Sequence, residues 1–106
     1  MEFNYKIIYT AQFESDLDNI ADYFCNTLMN PIAYLNLIDR IKKQENVLSR
    51  FPKSFIDFES SVSLKYCYRI FHVGNYTAFF YVDENEHVVY VRRILYSRMN
   101  LKNMFI

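Results

Sequence analysis

At 106 residues the chain has room for one hydrophobic core and no second. With 52% apolar and 19% aromatic residues, including ten Tyr and ten Phe, its composition excludes a disordered or low-complexity protein. The formal net charge is zero, but residues 1–61 carry nine acidic and six basic side chains while residues 62–106 carry three acidic and six basic. A generic polyanion-coating protein is therefore excluded, and any anion-facing surface is expected to be local to the second half.

The apolar runs are strand-sized and broken by charges, and the N-terminus lacks the basic-then-apolar order of a signal peptide. The chain therefore reads as a cytoplasmic protein with no membrane partner. Cys25 and Cys67 lie in different predicted elements without CxxC or Cys/His spacing, which points to free thiols. His72 and His87 lack ligand-like neighbours, so no metal and no cofactor is expected.

In chain order, Phe3 to Tyr9 reads as a strand of aromatic and β-branched residues, with Thr10 placed to cap a helix. The period then changes. Phe13, Leu17, Ile20, Ala21, Phe24 and Leu28 recur at three- and four-residue spacing, with Glu14, Asp16, Asp18 and Asp22 on early turns where carboxylates suit the helix dipole. Asn30-Pro31 supplies a second N-cap followed by proline at the first helical position. Tyr34, Leu37, Ile38, Ile41 and Leu48 continue that helix until Phe51-Pro52 stops it.

Lys53 to Ser63 shows no period and reads as a loop. Leu64 to Val73 and Tyr76 to Val82 read as a hairpin about a Gly74-Asn75 turn, and Asp83 to Glu86 as a second turn leading into a strand from His87 to Leu95. The order is β-α-α-β-β-β. It describes one α+β domain over residues 1–106, a helical hairpin packed on an essentially antiparallel four-stranded sheet, with room for a short C-terminal helix. Met99, Leu101, Met104, Phe105 and Ile106 are too apolar to hang free, so the tail is expected to dock on the domain or on a partner.

Strand arginines lose hydration and need an anionic partner or a ligand to compensate, which draws attention to Arg69, Arg93 and Arg98. Arg69 has a plain alternative, an ion pair with Asp57 or Glu59. His72, just before the hairpin turn, reads first as a turn-packing residue and second as a proton carrier.

Together these stretches resemble toxins of the RelE/ParE superfamily, the toxic partners of type II toxin–antitoxin modules. The likeness runs along nearly the whole chain: Tyr9-Thr10 leading into Asp16-Leu17-Asp18-Asn19-Ile20-Ala21-Asp22-Tyr23, Asn30-Pro31-Ile32-Ala33, Leu48 with Phe51-Pro52, Tyr68-Arg69, Gly74-Asn75-Tyr76, Phe80-Tyr81-Val82-Asp83, and Arg93-Ile94-Leu95-Tyr96-Ser97-Arg98. The resemblance implies a growth-inhibiting protein neutralised by a cognate antitoxin, and it leaves two mechanisms. ParE-like members poison DNA gyrase, whereas RelE-like members cut mRNA on the ribosome without a metal.

The candidate functional cluster is Arg69, Tyr96 and Arg98, supported by Arg93 and His72. RNA cleavage would need arginines to hold the crowded phosphate and Tyr96 or His72 to move protons. Tyr96, however, stands where many relatives have histidine, and an unperturbed phenol titrates at about 10, a poor base at neutral pH. The neutral charge, the Asn-Pro-initiated second helix and a loop with Lys53 in place of several lysines favour the ParE-like branch. A third reading is a domain that keeps antitoxin binding without toxicity. An antitoxin peptide would be expected to lay an amphipathic helix across exposed apolar surface and to add a strand at a sheet edge.

Overall fold

Thr10 is the hinge between the first strand and the first helix. Its backbone is extended and its hydroxyl accepts from the Phe13 N–H at 3.3 Å, so one residue ends β1 (Lys6–Tyr9) and opens α1 (Ala11–Asp22). The computed structural model describes residues 4–58 and 66–99. After α1 the chain widens into a π-helical turn, Tyr23–Thr27. Met29 then takes a positive φ, and the Asn30 side chain accepts from the Ala33 N–H at 3.2 Å to start α2 (Pro31–Arg50). A 3-10 turn, Pro52–Ser54, leads to β2 (Ile56–Asp57). The sheet is completed by β3 (Arg69–Val73), β4 (Tyr76–Asp83) and β5 (Val88–Tyr96).

The sheet has five strands in the order β1-β5-β4-β3-β2. Its last three strands form the expected meander, and Val73 pairs with Tyr76 across the two-residue turn, where Gly74 has φ +58°. Two expectations need correction. The expected loop from Lys53 contains a strand, because Ile56 and Asp57 pair with Ile70 and Arg69 and make a fifth strand at the edge. The strand expected from Leu64 begins at Arg69. The sheet is essentially antiparallel, as expected, except that β1 runs parallel to β5 with Lys6 opposite Val88 and Tyr9 opposite Val91. The two helices lie between β1 and the rest of the sheet in sequence, long enough for a crossover that returns the chain parallel. The expected C-terminal helix and docked tail, apart from Met99, lie outside the described residues.

The core lies between helices and sheet, where Phe13 and Ile20 of α1 and Leu37, Ile41 and Leu48 of α2 meet Phe71, Val73, Ala78, Phe80, Val89, Val91 and Ile94. Val91 and Ile94 are three residues apart and would point to opposite faces of a regular strand. A bulge resolves this: Val91 pairs with Phe80 and Arg93 with Phe79, so Arg92 is the extra residue and Ile94 returns to the core side. The other face of the sheet carries a smaller cluster of Tyr68, Phe79 and Leu95 with Phe58, Ile70 and Tyr81. There Tyr81 stacks on Tyr66 at 4.1 Å and on Tyr90 at 5.1 Å between ring centroids. These ring faces are largely spent on one another.

Candidate functional site

β1 stops opposite Val91, which leaves the adjoining edge of β5 open beyond that point, and α1 fills it. The Thr10 hydroxyl donates to the Arg92 carbonyl at 3.0 Å, and the Asp16 carboxylate accepts the Ile94 N–H at 3.1 Å. The same carboxylate grips Arg93 through Nε at 2.7 Å and Nη2 at 3.0 Å, a fork-to-fork pair with side chains only 18% and 12% exposed. Arg93 is thus committed to holding α1 against β5. Arg92 reaches the same helix, donating to Gln12 at 2.9 Å.

Arg69 opens β3 and is also engaged. Its Nη1 meets Asp57 at 2.9 Å and donates to the Phe55 carbonyl at 2.8 Å, with 27% of the arginine side chain and 72% of the aspartate exposed. The pairing expected with Asp57 forms. Arg69 lies in the sheet row of Phe80 and Val91, whereas Tyr96 lies in the row of Val73 and Tyr76. Four residues along β3 separate these rows, on the order of 13 Å at strand spacing. Arg69 therefore stands apart from Tyr96 and Arg98, which share the end of β5.

At that end the chain turns sharply, with Ser97 N–H donating to the Asn75 carbonyl at 2.8 Å and Met99 N–H to the Tyr96 carbonyl at 3.1 Å. Arg98 is exposed and has no ion pair or hydrogen bond among the described residues. The exposed ring of Tyr96 packs edge-on against Tyr76 at 5.8 Å. With Tyr23, Phe24, Leu28 and Asn75 these rings line a cleft of about 470 Å³. Burial, reinforced by neighbouring Tyr23 and Tyr96, pushes the Tyr76 phenol above its ordinary range. Such a cleft suits an apolar side chain with a polar rim. Among the described residues no carboxylate or imidazole lines it to take a proton.

His72 reaches this end indirectly. Its Nδ1 lies 3.0 Å from the Thr77 hydroxyl, which lies 2.8 Å from the Ser97 hydroxyl. The turn-packing role expected of this histidine is thus a hydrogen bond across β3 and β4.

Two further surfaces were not legible as sites. The outward groove between the helices, about 440 Å³, is floored by Tyr9, Phe13, Leu17, Ile38 and Ile41, with Glu14, Lys42 and Glu45 at its rim. In it the Tyr9 phenol donates to Glu45 at 2.8 Å, and burial together with that carboxylate pushes its pKa well up. The tip of the helical hairpin exposes Leu28, Met29, Ile32 and Leu35. Helical periodicity marks the side of a helix that meets the core. Ile32 and Leu35 fall outside that stripe, and this departure was the available signal. Among the described residues no three His, Cys, Asp or Glu side chains gather to hold a metal ion, and no helix is long and apolar enough to cross a membrane.

With this geometry in place, comparison with known proteins is informative. A family model described as the ParE toxin of the type II toxin–antitoxin system parDE matches residues 7–101. None of the curated proteins matches the chain by sequence. Among solved structures the fold is similar to a chain of the chromosomal ParDE system from P. aeruginosa, with TM-score 0.65, 19% identity, and coverage of 87% of this chain and 95% of that one. It is also similar to a chain of the archaeal RelE-RelB complex from Pyrococcus horikoshii OT3, with TM-score 0.60, 15% identity, and coverage of 90% and 97%.

Proposed function

Because the chain belongs to the ParE toxin family of type II toxin–antitoxin systems, we propose that it arrests growth by binding and inhibiting DNA gyrase and that a cognate antitoxin neutralises it. One observation carries the choice of mechanism: the arginines that a metal-free ribonuclease would aim at a phosphate are mostly engaged elsewhere. Arg93 is forked onto Asp16 and Arg69 is tied to Asp57 and the Phe55 carbonyl. Only Arg98 of the three lacks a partner among the described residues. An RNase also needs a base beside its cation, and the Tyr96 ring packs edge-on against Tyr76.

A protein-binding toxin has different requirements. Tyrosine and methionine around an apolar cleft are residue types that anchor protein interfaces, and Tyr23, Tyr76, Tyr96 and Met99 meet that description near the end of β5, with the exposed Arg98 next in sequence to Met99. This end is the target-facing surface in the proposed reading. The antitoxin would cover apolar surface left open by the helices, including the groove between α1 and α2.

Controlled expression in bacteria tests the reading. Replication is expected to stop while protein synthesis continues, and co-expression of the small protein encoded beside this one is expected to restore growth. Immediate loss of translation with ongoing DNA synthesis would favour the ribosome-dependent RNase, and unhindered growth at high soluble expression would favour a non-toxic binding domain.

A further inference from the structure

Thr77 is the one buried polar residue of the described core, with its side chain wholly shielded from solvent, and its hydroxyl is shared between His72 and Ser97. A hydroxyl has one proton and two lone pairs. Thr77 can therefore donate to only one of its two neighbours, and burial leaves it no water to serve the other. From this count we propose that Ser97 is a positioned hydrogen-bonding residue at the end of β5 beside Arg98, on the sheet face opposite the Tyr96 ring, its hydroxyl aimed by His72 through Thr77.

When His72 is neutral with Nδ1 unprotonated, the ring accepts from Thr77. Thr77 then accepts from Ser97, and the Ser97 proton points inward. When the ring is protonated, Nδ1–H must donate to Thr77. Thr77 then turns its proton to Ser97, which frees the Ser97 proton to donate outward. Protonation of an exposed histidine on β3 thereby converts a hydroxyl at the end of β5 from an inward donor into an outward one. The group it would meet there is an anionic oxygen, because the next residue is Arg98, whose guanidinium has no carboxylate among the described residues. A carboxylate on a protein partner matches both donors.

The target-facing role of Ser97 rests on the reading above, but its coupling to His72 can be measured on the protein alone. NMR of the purified chain would follow the His72 ring nitrogens and the Ser97 β-carbon between about pH 5.5 and 8, the range in which histidine changes charge. Ser97 is expected to titrate with the midpoint of His72. Thr77→Val should leave His72 titrating and silence Ser97, Thr77→Ser should keep the coupling, and His72→Gln should flatten Ser97 even where Thr77→Val does not fold. A Ser97 signal that stays flat in the wild type, or that still titrates unchanged in Thr77→Val or His72→Gln, overturns the proposal. Coupling that is present while Ser97→Ala remains fully toxic would retain the relay and remove Ser97 from the target surface.

Discussion

Replacing Asp16 by alanine should cost far more stability than removing any surface ion pair. The carboxylate accepts three N–H bonds, two from Arg93 and one from Ile94, and both side chains of the pair are more than four-fifths buried. Leaving one member of a buried pair alone costs about 3–5 kcal/mol. Residual solvent access to the guanidinium places the expected loss near the lower end, about 3 kcal/mol, against a total of about 5–15 kcal/mol for a domain of this kind. Urea unfolding followed by circular dichroism would register it as a midpoint lower by about 1–3 M at unchanged slope. Asp57→Ala is the internal control, because its carboxylate is 72% exposed and such pairs are worth at most about 1 kcal/mol. Adding Arg93→Met to Asp16→Ala should recover much of the loss by removing the stranded charge. A loss below about 1 kcal/mol for Asp16→Ala, or strict additivity of the two changes, would refute the view that this pair clamps α1 to β5.

Arg98→Ala should abolish growth arrest while moving the unfolding midpoint by less than about 0.5 kcal/mol, as befits an exposed side chain without a described partner; a fully toxic variant would remove Arg98 from the site. Burial raises the Tyr9 phenol, and to a lesser extent those of Tyr34, Tyr68, Tyr76 and Tyr81. Folding therefore favours their neutral forms, and stability that is complete below about pH 10 should fall as pH rises through the folded values, by up to about 1.4 kcal/mol per pH unit for each phenol. Tyr9→Phe should make that alkaline loss shallower in pH-dependent unfolding. Gly74→Ala should destabilise by about 1–2 kcal/mol through its φ of +58° rather than through crowding, since the added carbon would meet Arg40 at an ordinary 3.6 Å; an unchanged melting curve would contradict this.

What was legible in the sequence was what is encoded locally. The caps at Thr10 and Asn30-Pro31, the apolar stripes of both helices and the two-residue turn at Gly74-Asn75 each depend on side chains within a few residues, and each stands where it was expected, except that the first stripe outran its helix: α1 ends at Asp22, and Leu28 is exposed past the π-helical turn. Features joining distant segments were hidden. A strand pattern carries no direction, so Lys6–Tyr9 did not announce parallel pairing with β5, and two residues at Ile56–Asp57 are too few to show alternation. Asp16 was legible as a carboxylate suited to the helix dipole and Arg93 as an arginine needing an anion, but nothing in their spacing joined them across 77 positions. The hydroxyl pair of Thr77 and Ser97 was equally silent, because two short polar residues become a relay only when β4 and β5 lie side by side.

The central claim is that the end of β5 presents a protein-binding surface to gyrase rather than a catalytic one to mRNA. The most direct test gives the same purified toxin to gyrase with a relaxed plasmid and to translating ribosomes with a defined mRNA. Inhibition of supercoiling with the mRNA left intact, both effects being absent in Arg98→Ala, is the predicted result. Cleaved mRNA with supercoiling undisturbed would contradict it.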